Sequence, residues 1–176
     1  MIFPGGEVHT SIQHTNISAQ KHIDGIYLTV KLKSSDDIIE LLLITDAYRR
    51  SGIDDIYLDM QYIPYARQDR VCNKGEALSI KVFADLINAQ NYVKVVVWDP
   101  HSDVAPALIN NCEVIPRCWL LQQVPNIIYS SLICPDVGAS KKCFEDAKTL
   151  NLPLVQANKK RDLSTGQLSG FEVYTD

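Results

Sequence analysis

Val93-Lys94-Val95-Val96-Val97-Trp98-Asp99-Pro100-His101-Ser102-Asp103 is the stretch whose reading decides the architecture. Its first half is a nearly continuous apolar run, the composition expected of a parallel strand covered on both faces. Its second half turns abruptly polar, with carboxylates, an imidazole and a hydroxyl in close succession. In an open parallel sheet, ligands bind beyond the carboxyl ends of the strands. An apolar strand that empties into polar chemistry therefore points to such a sheet.

Working outward, the same alternation recurs. Ile26 to Val30 and Asp55 to Met60 read as strands. Between them, Ser35 is placed to cap a helix with Asp36 and Asp37 in its first turn, near the positive end of the helix dipole. Ile38, Ile39, Leu42 and Leu43 offer its apolar face, Arg49 and Arg50 suit its C-terminal end, and Gly52 suits the stop. The spacing predicts a helix over Ala77 to Ala89, with Leu78, Val82, Leu86 and Ala89 on one stripe. After Ile115 the pattern loosens, and Pro116 and Pro125 bracket a connection between lobes. It then restarts, with a strand over Asn126 to Cys134, a helix over Ser140 to Leu150 and a strand over Leu154 to Ala157. Residues 162–170 have loop composition. The expectation is an α/β fold, a parallel sheet flanked by helices, with residues 1–124 as one domain and 125–176 as the start of a second, similar one.

Composition narrows the function classes. The chain has 176 residues, 46% hydrophobic and 22% charged, as in ordinary globular proteins. Seventeen basic against 21 acidic residues leave a net charge of −4, so whole-surface attraction to nucleic acid or anionic lipid is not expected. No apolar run approaches the ~20 residues of a membrane helix, and the first residues lack the pattern of a secretory signal. The five cysteines are an odd set without a CxxC pair, which argues against a disulfide framework and against a thiolate zinc site. A reduced cytoplasmic setting follows as the expectation.

Five segments carry chemistry. Arg67-Gln68-Asp69-Arg70 sets two guanidinium groups on one short loop, and arginine forks match phosphate oxygens; a solvated loop with a local Arg–Asp pair is the alternative. Asp99, His101 and Asp103 could hold a divalent cation of the magnesium type, which prefers few protein ligands plus phosphate oxygens; Asp99 merely capping a turn is the alternative. Asp136-Val137-Gly138, followed by Ser140, resembles a strand-to-helix turn that lets backbone approach a phosphate, while Lys141 and Lys142 suit the outer helix face. Lys159-Lys160-Arg161 is either a solvated basic run or a source of positive charge for a transferring phosphoryl group. Finally, Phe3-Pro4-Gly5-Gly6-Glu7 offers a ring to stack on a purine and a carboxylate to accept from its amino group, or else a simple turn.

Taken in order, Phe3-Pro4-Gly5-Gly6-Glu7, Pro64-Tyr65-Ala66-Arg67-Gln68-Asp69-Arg70, Asp99-Pro100-His101-Ser102, Pro135-Asp136-Val137-Gly138-Ala139 and Lys159-Lys160-Arg161 resemble the ribose-phosphate pyrophosphokinase family. The resemblance implies paired phosphoribosyltransferase-like domains. It also implies transfer of the β,γ-diphosphate of ATP to the anomeric hydroxyl of ribose 5-phosphate, with release of AMP and a requirement for Mg2+. By motif it makes Phe3, Gly5, Glu7, Arg67, Gln68, Asp69 and Arg70 ATP-binding residues, with Gly5 standing where many members have Asn or Asp. His101 and Asp136 become magnesium-site residues, and Lys159, Arg161 and His101 catalytic ones. It implies a homo-oligomer, dimer or hexamer, whose ATP site joins the Phe3–Glu7 loop of one subunit to the Arg67–Arg70 loop of another. The family's first strand and helix, and the acidic loop that binds the ribose phosphate, are expected outside this chain. A bulkier acceptor such as ADP-ribose stays open, as does a non-catalytic ATP-binding regulatory subunit.

Overall fold

Three parallel strands that follow one another directly in space set the fold. They are β2 (Gly25–Val30), β3 (Ile56–Met60) and β4 (Lys94–Trp98), and the sheet continues with β5 (Cys112–Ile115) on one side. On the other side β1 (Ser18–His22) pairs antiparallel with β2 through a tight Ile23-Asp24 turn. The computed structural model describes residues 1–123, 129–161 and 168–174. They form two compact units, Met1–Ile115 and Pro116–Asp176.

Strand order in the first unit equals chain order. Each right-handed crossover therefore moves the chain in the same direction and leaves its helix on the same face. That face holds the core. Ile26, Leu28, Val30, Ile56, Leu58, Met60, Val95 and Val97 from the strands pack in one cluster with Ile38, Leu41, Ile44 and Tyr48 of α1 (Ser35–Arg50). Ile80, Phe83, Ala84 and Ile87 of α2 (Ser79–Asn88) join the same cluster, as does Ala105 of α3 (Val104–Leu108). Every second residue of β2, β3 and β4 is only half-buried. The 93–98 run is thus covered by helices on one face and not on two. The opposite face carries Tyr27 stacked on Tyr57 at 4.5 Å, and Trp98, whose Nε1 donates to Asp59 Oδ1 at 2.5 Å.

Other expectations shift for local reasons. The cap of α1 is Ser34, one residue earlier than Ser35: its hydroxyl accepts from Asp37 N–H, and the Asp37 carboxylate accepts from Ser34 N–H at 2.8 Å, a reciprocal capping box. Ile39 and Leu43 of α1, and Val82 and Leu86 of α2, are exposed. The stripe Leu78-Val82-Leu86 is an equally regular i, i+4 series, but the bulkier Ile80-Phe83-Ile87 series takes the core. β1 escaped notice because Ser18-Ala19-Gln20-Lys21-His22 is wholly exposed and shows no alternation. Its signal was Gly25 directly after the turn, at φ +145°.

In the second unit, α4 (Arg117–Gln122) precedes β6 (Leu132–Cys134), a short 3-10 turn (Val137–Ala139) and α5 (Ser140–Leu150). β6 pairs parallel with β7 (Leu154–Arg161), and β7 pairs antiparallel with β8 (Leu168–Tyr174). The strand expected from Asn126 begins at Leu132, with residues 124–128 outside the described set. The strand expected over Leu154 to Ala157 runs on to Arg161, and residues 168–170, read as loop, belong to β8; residues 162–167 lie outside the described set. β8 supplies the edge partner that an isolated reading of the basic triplet could not foresee. Arg117 donates to Asp146 and, at 3.2 Å, to Cys143 Sγ, which ties α4 to α5.

Two positions test this account. Gly25 has φ +145°, and a Cβ there would lie 2.1 Å from the Asp55 carbonyl oxygen. Gly25→Ala should therefore lose about 1–3 kcal/mol from backbone strain alone, read as a lower urea midpoint. Tyr92 is buried with its hydroxyl 2.8 Å from Thr45 Oγ1, and burial pushes the phenol up to about 12. The unfolded chain loses this proton near pH 10 and the folded one only near 12, so stability holds below pH 10 and falls between them. Tyr92→Phe should cost about 1 kcal/mol at neutral pH and flatten that alkaline decline.

Candidate functional site

The site forms at the carboxyl ends of β3 and β4. The segment after β3 descends through Ile63, Pro64 and Ala66, all buried, while Tyr65 between them takes φ +61°. This left-handed turn, closed by Gln68 N–H donating to Tyr65 C=O at 2.9 Å, throws residues 67–70 outward. Beyond β4, Asp99 takes φ +39°, and Pro100 is buried beneath exposed His101. Non-glycine residues in this region are strained, and here both strained residues sit at the roots of polar loops.

These loops and the start of α2 enclose an open cavity of about 610 Å3. Arg67, Gln68, Asp69 and Arg70 line it together with His101. The sequence-predicted cluster of residues 67–70 and the separate prediction of His101 thus come together in one place. Cys72, Glu76, Ala77 and Ser79 also line it and were not anticipated. Their signal was positional: residues 71–79 link the arginine loop to a helix that starts at the same sheet edge.

Electrostatics differ between the two arginines. Arg70 Nε donates to Asp69 Oδ1 at 3.1 Å, whereas Arg67 forms no ion pair among the described residues. Ser102 Oγ donates to Asp69 Oδ2 at 2.7 Å. The Ser102 hydroxyl first, and Arg70 next, hold the Asp69 carboxyl below the usual carboxylate range. Glu76 is also held low, by the Asn73 side chain and the backbone N–H groups of Asn73 and Cys72, and this bracket shapes the 72–76 turn. α2 begins at Leu78, which offers no side-chain cap. Of its first N–H groups, that of Ile80 donates to Gln68 C=O at 3.5 Å, which ties the helix start to the arginine loop, and that of Lys81 to Leu78 C=O at 3.0 Å. The helix dipole still favours an anion at that end.

Phe3, Gly5 and Glu7 do not line this cavity. They form a separate tight turn, with Phe3 N–H donating to Glu7 C=O and Gly6 N–H to Phe3 C=O, and with Gly6 at φ +86°. The turn closes a small hairpin bridged at Ile2 and Val8, and Phe3 is exposed with its ring 5.3 Å from that of His9. Farther along, Glu40 Oε1 accepts from Thr15 Oγ1 at 2.9 Å and Asn16 N–H at 3.0 Å, which binds this N-terminal segment to α1.

In the second unit, Asp136 follows β6 and caps the 3-10 turn, its Oδ1 accepting from Ala139 N–H at 3.0 Å. Cys134 Sγ donates to the Asp136 carbonyl at 3.1 Å. Lys159 and Arg161 lie on β7, opposite Phe171 and Leu168 of β8; their side chains are outside the described set. Among the described residues, no three His, Cys, Asp or Glu side chains gather into a metal-sized group. No described helix is long and apolar enough to cross a membrane.

The chain was compared with known proteins. Residues 3–90 match the family model for the N-terminal domain of ribose phosphate pyrophosphokinase. The ribose-phosphate pyrophosphokinase of Saccharolobus solfataricus is 27% identical over 170 residues, covering 95% of this chain and 57% of that protein. That of Campylobacter jejuni is 31% identical over 136 residues, covering 73% of this chain and 43% of that protein. The crystal structure of phosphoribosylpyrophosphate synthetase from Mycobacterium smegmatis superposes with a TM-score of 0.67 at 21% identity, over 92% of this chain and 59% of that one. This likeness establishes a phosphoribosyltransferase-type fold. The chain spans about half the length of the curated relatives it matches.

Proposed function

The chain belongs to the ribose phosphate pyrophosphokinase family, and from that premise we propose that it is the nucleotide-binding part of a diphosphokinase that uses ATP. The observation that carries the reading is the convergence of Arg67, Gln68, Arg70 and His101 on one cavity beside the start of α2. Two guanidinium groups beside the positive end of a helix dipole suit a polyphosphate. Arg67, without a carboxylate partner among the described residues, supplies an uncompensated positive charge. The Phe3–Glu7 turn is the adenine-contacting element. Its exposure, and its absence from the cavity lining, accord with a homo-oligomer, dimer or hexamer, in which a second subunit brings that turn to the site.

In the proposed reaction the anomeric hydroxyl of ribose 5-phosphate, or of a derivative such as ADP-ribose, attacks the β-phosphorus of ATP. The bond to the α-phosphate oxygen breaks, AMP leaves and the sugar carries the β,γ-diphosphate. Arg67 and Arg70 hold the polyphosphate and Gln68 orients it. Lys159 and Arg161 meet the negative charge that builds on the transferring group and on the leaving oxygen. His101 in the first unit and Asp136 in the second are each proposed as a magnesium-site residue. An imidazole or a carboxylate is a donor that leaves such an ion room for water and phosphate, and the ion when bound would neutralise and orient phosphate oxygens. In this reading the unit Met1–Ile115 is the ATP-binding domain and the unit from Pro116 begins the second, where the sequence placed the boundary between residues 124 and 125, and the enzyme works in the cytoplasm.

Incubating the full gene product with ATP, Mg2+ and each acceptor, with mass spectrometry of the products, tests the reading. AMP and a diphosphorylated sugar are expected with one acceptor. ATP binding without AMP from any acceptor would mark a regulatory subunit instead. Arg67→Ala should weaken ATP binding by about 1.5–3 kcal/mol in calorimetry, as for a lost charge-assisted hydrogen bond. In steady-state kinetics, Lys159→Ala and Arg161→Ala should each lower kcat about 10²–10³-fold with little change in ATP affinity. Lys160→Ala should matter less, because the motif places the catalytic pair at Lys159 and Arg161. Small, equal effects at all three positions would remove the basic triplet from the mechanism.

A further inference from the structure

We propose that Asp69 and Ser102 form a latch that positions the nucleotide site without touching the nucleotide. The inference rests on the ATP reading of the cavity and assigns Asp69 a different task from its neighbours Arg67 and Gln68. Both Asp69 oxygens are engaged within the protein: Oδ2 accepts from Ser102 Oγ at 2.7 Å, and Oδ1 accepts from Arg70 Nε at 3.1 Å. The Asp69 side chain is 4% exposed, against 76% for Arg70. A carboxylate so covered offers little surface to a ligand, whereas the guanidinium it holds offers a great deal.

Ser102 completes the joint. Its hydroxyl donates to Asp69 and accepts from Val104 N–H at 3.4 Å, at the start of α3. One side-chain contact thereby links the loop after β3, the loop after β4 and a helix rooted in the core. The two loops it spans are those with left-handed residues at their roots, Tyr65 and Asp99. Strained loops persist in one geometry only where their surroundings over-determine it, and the latch supplies such a constraint. It sets the distance between His101 on one loop and Arg67 and Arg70 on the other. The charged groups that share the cavity with Asp69 are Arg67, Arg70, Glu76 and His101. Asp69 is thus a positioning residue that acts through Arg70, and Ser102 is its partner.

Calorimetric ATP titrations of the unmodified chain, Asp69→Ala, Ser102→Ala, the double variant and Ser102→Thr test the latch, with thermal melting of each. The expected result is a loss of affinity of about tenfold for either single alanine variant, the scale of a hydrogen bond to a charged group. The double variant should be no worse than the weaker single one, because both remove the same joint. Ser102→Thr should restore affinity by restoring the hydroxyl. Melting should stay within about 3 °C, since the core lies elsewhere. ATP binding in which Ser102→Ala is silent and Asp69→Ala is impaired would overturn the latch alone and make Asp69 a direct contact. Additive losses, or unfolding of the single variants, would also overturn it. No ATP binding by the unmodified chain would instead overturn the nucleotide reading, and the latch's role with it.

Discussion

Right-handed crossovers between parallel strands taken in chain order constrain everything else in the first unit. Handedness puts α1, α2 and α3 over one face of the sheet and leaves one edge for all the strand-to-helix loops. Burial alternates along β2, β3 and β4 because only that one face has helices to cover it. Burial of branched and aromatic side chains at ~1.5–3 kcal/mol each makes this face the dominant source of stability. The loops at the carboxyl edge contribute little to it, and they are correspondingly open to carry polar chemistry.

That division explains how strain is accommodated. Tyr65 and Asp99 hold backbone angles that cost of order 1–3 kcal/mol each. Each strained residue adjoins buried anchors, Pro64 and Ala66 on one loop and Pro100 on the other. The core holds the roots while the tips stay exposed. The two arginines then differ in kind. A pair whose guanidinium stands largely in solvent contributes only about 0–1 kcal/mol, so the tie between Arg70 and Asp69 serves geometry more than stability. Arg67 has no such tie among the described residues.

Polar residues elsewhere mainly fasten chain segments to this frame. Glu40 gathers donors from Thr15 and Asn16, Asn88 accepts from Asn110 N–H and donates to Leu108 C=O, and Asp37 closes the cap of α1. In the second unit, Asp146 and Cys143 do the same for Arg117 of α4. Apart from the Asp37 cap, whose partner Ser34 is three residues away, these contacts bring together residues far apart in sequence, with no local pattern that announces them.

The sequence alone determined what local rules govern. Strand-to-helix alternation, the helix over residues 140–150, the polar stretch after the 93–98 run and the family motifs follow from composition, spacing and residue order. These are properties of contiguous residues. Tertiary structure decided what depends on a partner across space. It chose between two equally periodic stripes on α2 by offering a core to Ile80, Phe83 and Ile87. It left one face of the β4 run without helices, because handedness acts on the order of whole strands and not on any residue. It extended β7 through the basic triplet by supplying β8. Above all, it joined Arg67–Arg70, His101 and the 72–79 segment in one cavity and set Ser102 against Asp69. Those residues are neighbours only because parallel strands deliver successive loops to the same edge, a juxtaposition that exists once the sheet has formed.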